Sequence, residues 1–266
     1  MEAEKDGSDN SGETGKMSFL NHLDELRKRL IRIAIYLAGG FFVGFYFSAD
    51  LYNFLSAPVV SELEKTLENT DVAGSMTFTG LTGPFMTSMK VALMASVFLT
   101  LPLTLLEVWK FISPGLYRRE KRFVIPFLLS STVLFIAGAT FCYKIALPGA
   151  FSFLLDWGQK YNATRPMLKI DEYLDLVNTM ILGFGFIFQM PVIVAFLSIF
   201  GLVSAKFLWK KFDIAVVGIV IVAALLSPTT DAFNLMVWSA PMILLYFVSI
   251  GVAAIIGWRR KKKGLI

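Results

Sequence analysis

Six apolar stretches, each bounded by charged or turn-forming residues, decide what this chain can fold into: Ile31–Leu55, Phe85–Phe111, Phe123–Leu147, Tyr173–Phe200, Phe212–Leu226 and Phe233–Trp258. A helix needs about 20 apolar residues to cross the hydrocarbon of a bilayer. Only helices and closed barrels satisfy every backbone N–H and C=O group there. All the blocks but Phe212–Leu226 reach that length. That one spans about 22 Å at 1.5 Å per residue, against a hydrocarbon core of about 30 Å. With 56% hydrophobic and 17% charged residues, the chain has too little polar surface to cover a soluble globule. The sequence predicts an all-α, polytopic membrane protein with six transmembrane helices.

Lys and Arg set the orientation, because cytoplasmic loops retain them. Arg27, Lys28, Arg29 and Arg32 precede the first block; Arg118, Arg119, Lys121 and Arg122 lie between the second and third; Lys206, Lys210 and Lys211 separate the fourth and fifth; Arg259 to Lys263 follow the last. Alternating spans put all these clusters on one side, so both termini are predicted to be cytoplasmic. The opposite side receives Glu62, Glu64, Glu68 and Asp71 with Lys65, a balanced loop near Asp156 to Asp175, and a tight turn at Ser227–Asp231. The net charge of +5 is mostly this topogenic bias and does not point to nucleic acid.

Residues 1–16 are polar and rich in Gly and acids, without the charged-then-apolar order of a signal peptide. They read as a disordered tail. Residues 17–258 form one membrane domain and 259–266 a basic tail. The sole cysteine, Cys142, lies in an apolar block, which excludes an intrachain disulfide and a cysteine metal cluster. The one histidine, His22, precedes the first block, and no HExxH, Walker or GxSxG motif occurs. A base beside a nucleophile, or a set of metal ligands, is therefore missing, and the expectation is a protein that is not an enzyme and needs no cofactor.

Ser18–Leu30, SFLNHLDELRKRL, leads into the first block. As a helix capped by Ser18, it aligns Leu23, Leu26 and Leu30 and sets Glu25 four residues before Arg29. An intrahelical Glu–Arg pair accounts for that spacing, and so does a carboxylate kept for a ligand. Val108–Arg122, VWKFISPGLYRREKR, joins the second and third blocks. Pro114 and Gly115 turn the chain, Trp109, Phe111 and Tyr117 suit an interface, and Glu120 stands among four cations. Glu120 is either neutralised by those neighbours or converges with Glu25 on a cationic ligand.

HLDELRKRL, the SAP of Ser56–Pro58, FISPGLYRREKR and the FQMPV of Phe188–Val192 together resemble TatC, the multispanning receptor subunit of the twin-arginine protein translocase. The resemblance covers the chain after residue 16. It implies a cupped six-helix receptor that binds signal peptides bearing two adjacent arginines. It also implies export of folded proteins from a bacterial-type plasma membrane by the proton-motive force, with single-span TatA- and TatB-like partners in an oligomeric complex. The family's signal-binding acids fall on Glu25 and Glu120, with Arg27 and Phe111 in the same regions. Pro58 and Asp231, in the outer turn before the last span, are further motif positions. The chemistry is apt, since a guanidinium offers a planar fork that a carboxylate accepts bidentately and an ammonium does not.

One departure is plain. Many members carry a glutamate in the fourth span, where this chain has Gln189, an amide that cannot titrate. Gln189 is read either as satisfying carbonyls loosened by Pro191 or as a polar lining of the concave face. Lys90, inside the second block, is expected to snorkel to the outer interface. Pro102, Pro126, Pro148 and Pro241 are expected to bend helices or set their ends. A small-solute secondary transporter would place Gln189 and Lys90 in a midplane site. A membrane-insertion scaffold would use the same groove without arginine specificity.

Overall fold

A computed structural model of the chain describes residues 10–66, 76–78, 80–112, 124–159, 168–226 and 232–262, with side chains described from residue 22 onward except at 65, 66, 112, 124, 159, 233 and 234. It is helical almost throughout. The first helix, α1 (Asn10–Tyr46), takes its main chain back before residue 17 and carries a span from His22 to Tyr46. Further spans are α3 (Gly83–Ile112), a run formed by α4 (Val124–Phe141), a π-helical turn and α5 (Leu147–Gln159), a pair formed by α6 (Ile170–Ile187) and α7 (Met190–Ile199), and α10 (Ala232–Lys262). Among the described residues these are the five helical segments long and apolar enough to cross a membrane; α9 (Phe212–Leu226) is the shorter sixth. The short α8 (Ala205–Lys210) precedes it and is capped by the Ser204 hydroxyl, which accepts from the Phe207 N–H.

The first apolar block is not one straight span. The helix breaks at Phe47 and restarts as α2 (Ser48–Thr66), with Asp50 in its first turn. The expected end at Leu55 is therefore corrected to Tyr46. Hydropathy could not see the turn because α2 is itself apolar on one face: Leu55, Val59 and Leu63, four residues apart, are essentially buried. That face packs on α5, which likewise continues past the expected end of its block at Leu147. Beyond them, β1 (Met76–Thr77) and β2 (Leu168–Lys169) form a two-residue parallel ladder, pairing Met76 with Leu168 and Thr77 with Lys169.

Two proline effects organise this end of the bundle. Pro58 lies inside α2 and has no N–H for the carbonyl of Phe54. The Tyr143 hydroxyl donates to that carbonyl at 2.7 Å, and the Tyr173 hydroxyl donates to Leu55 O at 2.5 Å. Pro58 thus frees an acceptor that ties α2 to the π-helical turn Cys142–Ala146. In that turn the Leu147 N–H reaches back to Cys142 O, immediately before Pro148. The extra residue keeps α4 and α5 continuous where Pro148 cannot donate.

Close helix approach rests on small residues. A Cβ at Gly40 would lie 3.2 Å from Ser96 Cα, and one at Gly44 would lie 2.9 Å from Ala92 O. This Gly-x-x-x-Gly face lets α1 lie against α3 along most of its length. The core between α4, α6 and α10 is aromatic, with Phe135, Phe184 and Trp238 fully enclosed. Buried hydroxyls such as Thr100 and Ser249 return hydrogen bonds to carbonyls of their own helices. A concave cavity of about 550 Å³ opens between α1, α2, α3 and α4, lined by Val43, Phe47, Val91, Phe98, Ile136 and Tyr143 among others.

Candidate functional site

The site grows from the antiparallel contact of α1 with α3. Because the two helices run in opposite directions, the polar segment before the first span meets the last turns of α3. His22 stacks on Phe111, ring centroids 4.6 Å apart and planes at 17°. That contact fixes the register of the two helix ends. One turn along α1, Glu25 faces Arg29, whose Nε donates to Glu25 Oε1 at 3.1 Å and whose Nη2 makes a second, shorter bond to the same oxygen. Glu25 Oε2 accepts no hydrogen bond among the described residues, and the side chain is 32% exposed.

Arg29 does not stop at Glu25. Its Nη1 donates to Glu107 Oε2 on α3 at 3.0 Å, and the Glu107 side chain is only 3% exposed. Arg32 approaches the same carboxylate at 3.6 Å, and Lys110 donates to its other oxygen at 3.4 Å. Three cations thus surround one buried anion, the condition under which a carboxylate stays ionised away from water. The i, i+4 pair expected from the spacing does form, as the inner part of a larger network. Asp24 and Lys28 pair at 2.6 Å on the exposed face, and Arg27 is exposed beside them.

Glu107 was missed from sequence, although a signal existed. It is the sole acid within Phe85–Phe111, and an ionisable residue inside an apolar block marks a site by default. Glu120 and Asp231 lie outside the described residues. Of the expected site residues, Phe111 is brought against α1 at His22, one turn before Glu25, whereas Arg27 is exposed on another face of that helix beside Asp24, and Pro58 lies at the far end of the bundle.

The intramembrane polar residues also sit apart from one another. Lys90 does not merely reach for the interface: it pairs with Asp175 on α6 at 2.7 Å, and the lysine is 33% exposed. Gln189 satisfies no carbonyl loosened by Pro191. Its Nε2 donates across to Ser131 O on α4 at 3.0 Å, while the backbone at the α6–α7 break bonds locally, Gln189 N–H to Phe186 O. Nor does Gln189 line the concave cavity.

Residues 21–241 match the family described as Sec-independent protein translocase protein (TatC). The chain is 40% identical over 247 residues to the Sec-independent protein translocase protein TatC of Koribacter versatilis (strain Ellin345), covering 93% of this chain and 89% of that one. Against the Escherichia coli (strain K12) protein of the same name it is 35% identical over 233 residues, covering 87% and 86%. A solved structure described as a crystal structure of the twin arginine translocase receptor TatC superposes with a TM-score of 0.75 at 32% identity, covering 89% of this chain and 99% of that one. Fold, length and sequence agree from the α1–α3 site to α10: the chain belongs to the TatC family.

Proposed function

We propose that this chain is the receptor subunit of a twin-arginine translocase, and that Glu25 and Glu120 accept the paired arginines of a signal peptide. The observation that carries this reading is Glu25 itself. It is a half-buried carboxylate at a helix junction, with one oxygen engaged and the other open toward a ligand. Phe111, held against His22, supplies an aromatic wall on which a guanidinium can stack. Arg27 is exposed beside Asp24, two residues and about 200° around α1 from Glu25, so its charge is directed away from the arginine ligand. The receptor works with single-span TatA- and TatB-like subunits in an oligomeric complex and draws on the proton-motive force. It sits in a bacterial inner membrane with residues 17–258 as its membrane domain.

A small-solute transporter would need its intramembrane polar groups to converge. Gln189 is bonded to Ser131 and Lys90 to Asp175 on different helix pairs, which favours the receptor reading. The test is peptide affinity. A signal peptide with Arg-Arg is expected to bind the receptor in lipid nanodiscs at least ten-fold more tightly than its Lys-Lys version, because only guanidinium forks a carboxylate. Equal affinities would reject arginine recognition.

Orientation is tested separately. Cys142 is fully buried, so added cysteines report cleanly. Glu64→Cys is expected to react with an impermeant maleimide from outside the cell, and Lys206→Cys only after the membrane is opened. The reverse pattern would invert the proposed topology, in which both termini are cytoplasmic.

A further inference from the structure

The recognition carboxylate of the free receptor is already occupied by an arginine of the receptor itself. Arg29 places two of its nitrogens on Glu25 Oε1, leaving Oε2 open. A ligand guanidinium can touch Oε2 alone, but the stronger bidentate fork needs both oxygens. Arg29 must then give up Glu25. With its side chain only 15% exposed, Arg29 has little water to turn to, and an unpaired cation there would oppose ligand binding.

Glu107 removes that obstacle. It already holds the third nitrogen of Arg29 at 3.0 Å, from a separate helix and from a buried position that a peptide does not reach. Arg32 at 3.6 Å and Lys110 at 3.4 Å keep Glu107 anionic whether Arg29 leans toward it or away. We propose that Glu107 is a positioning residue for arginine recognition: it retains Arg29 while Glu25 exchanges the receptor's own guanidinium for the ligand's. The inference rests on the reading of Glu25 as a signal-binding acid. It adds a residue outside the FISPGLYRREKR and HLDELRKRL segments, and it makes a competitor of Arg29.

Arg29 and Glu107 therefore have opposite effects on affinity, a relation that a merely structural ion pair does not produce. Glu107→Gln leaves Glu25 as the sole carboxylate of Arg29, so the ligand competes with a more tightly held cation. Arg29→Gln removes the competitor and opens both oxygens of Glu25.

The experiment measures Arg-Arg signal-peptide affinity for the full chain in nanodiscs, with thermal unfolding recorded for each variant. Glu107→Gln is expected to bind at least ten-fold more weakly than the wild type and Arg29→Gln several-fold more tightly. The double variant should bind like Arg29→Gln, because without Arg29 there is nothing for Glu107 to hold. A double variant as weak as Glu107→Gln overturns the proposal, as does an Arg29→Gln receptor that binds no more tightly than the wild type. The second arm stands alone if Glu107→Gln does not fold. Glu25→Gln separates the two levels: if it binds normally, the signal-binding reading fails and the exchange with it. If Glu25→Gln loses binding while Arg29→Gln shows no gain, the exchange alone fails.

Discussion

Receptors carrying Glu25→Arg together with Glu120→Arg are expected to lose on the order of 100-fold in affinity for an Arg-Arg signal peptide, or about 2.7 kcal/mol. The size follows from the environment of Glu25. A fully exposed pair contributes roughly 0–1 kcal/mol and would give a change difficult to measure. Glu25 is two-thirds buried against α1 and α3 and next to a carboxylate that is 3% exposed, where truncating one partner of a hydrogen-bonded charge pair costs about 2–5 kcal/mol. Reversal adds like-charge repulsion from Arg29 and Arg32, which already crowd this junction. Each single reversal is expected to have a smaller effect, because the remaining acid still accepts one guanidinium. Titration by fluorescence anisotropy in nanodiscs checks it. Wild-type affinity in the double variant would mean that the arginines bind elsewhere.

The largest expected effect on stability belongs to Trp238→Ala. The indole is fully buried, stacks on Phe184 at a centroid distance of 4.6 Å and an angle of 25°, and sits over Gly183, whose Cβ position lies 3.1 Å from Trp238 Cη2. It therefore joins α10 to α6 through its stack on Phe184. Lipid-immersed helices associate mainly through such packing, and removing a Trp from a packed core costs about 3–5 kcal/mol. Trp238→Phe should cost much less. It keeps a ring on Phe184 and removes an indole N–H that has no acceptor among the described residues, a group that is costly to bury. Thermal unfolding in a mild detergent distinguishes the two. An alanine variant as stable as the wild type would show that the α6–α10 contact is held elsewhere.

What could be read from the sequence was what depends on composition along the chain. Hydropathy placed the membrane segments, and Phe212–Leu226 was recognised as a short span with the same bounds as α9. Pairwise contacts between distant segments were not legible. Phe47 looks like any other apolar residue, so the turn into α2 was lost within one long block. Pro58 was seen as part of a motif, but its physical role needs Tyr143, a residue 89 positions from Phe54.

The same limit applies to the site. Glu25 and Arg29 are four apart and their pairing could be anticipated, whereas Arg29 meets Glu107 across a separation of 78 residues. Lys90 was expected at an interface on its own, yet it pairs with Asp175, and Gln189 was read either as serving its own kink or as lining the concave face, whereas its amide bonds to Ser131 on α4. Periodicity tells which face of a helix is polar. It does not tell which other helix will supply the partner.

The measurement that bears most directly on the central claim is site-specific crosslinking of the signal peptide's arginine pair. A photoreactive group placed next to the two arginines is expected to crosslink to the receptor at the α1–α3 junction, at Phe111 and around Glu25, and at Glu120. The yield should fall when the arginines are replaced by lysines. Crosslinks that map instead to α2 or α5 at the opposite end of the bundle, or that are indifferent to the Arg-to-Lys change, would contradict the assignment of this junction as the arginine receptor.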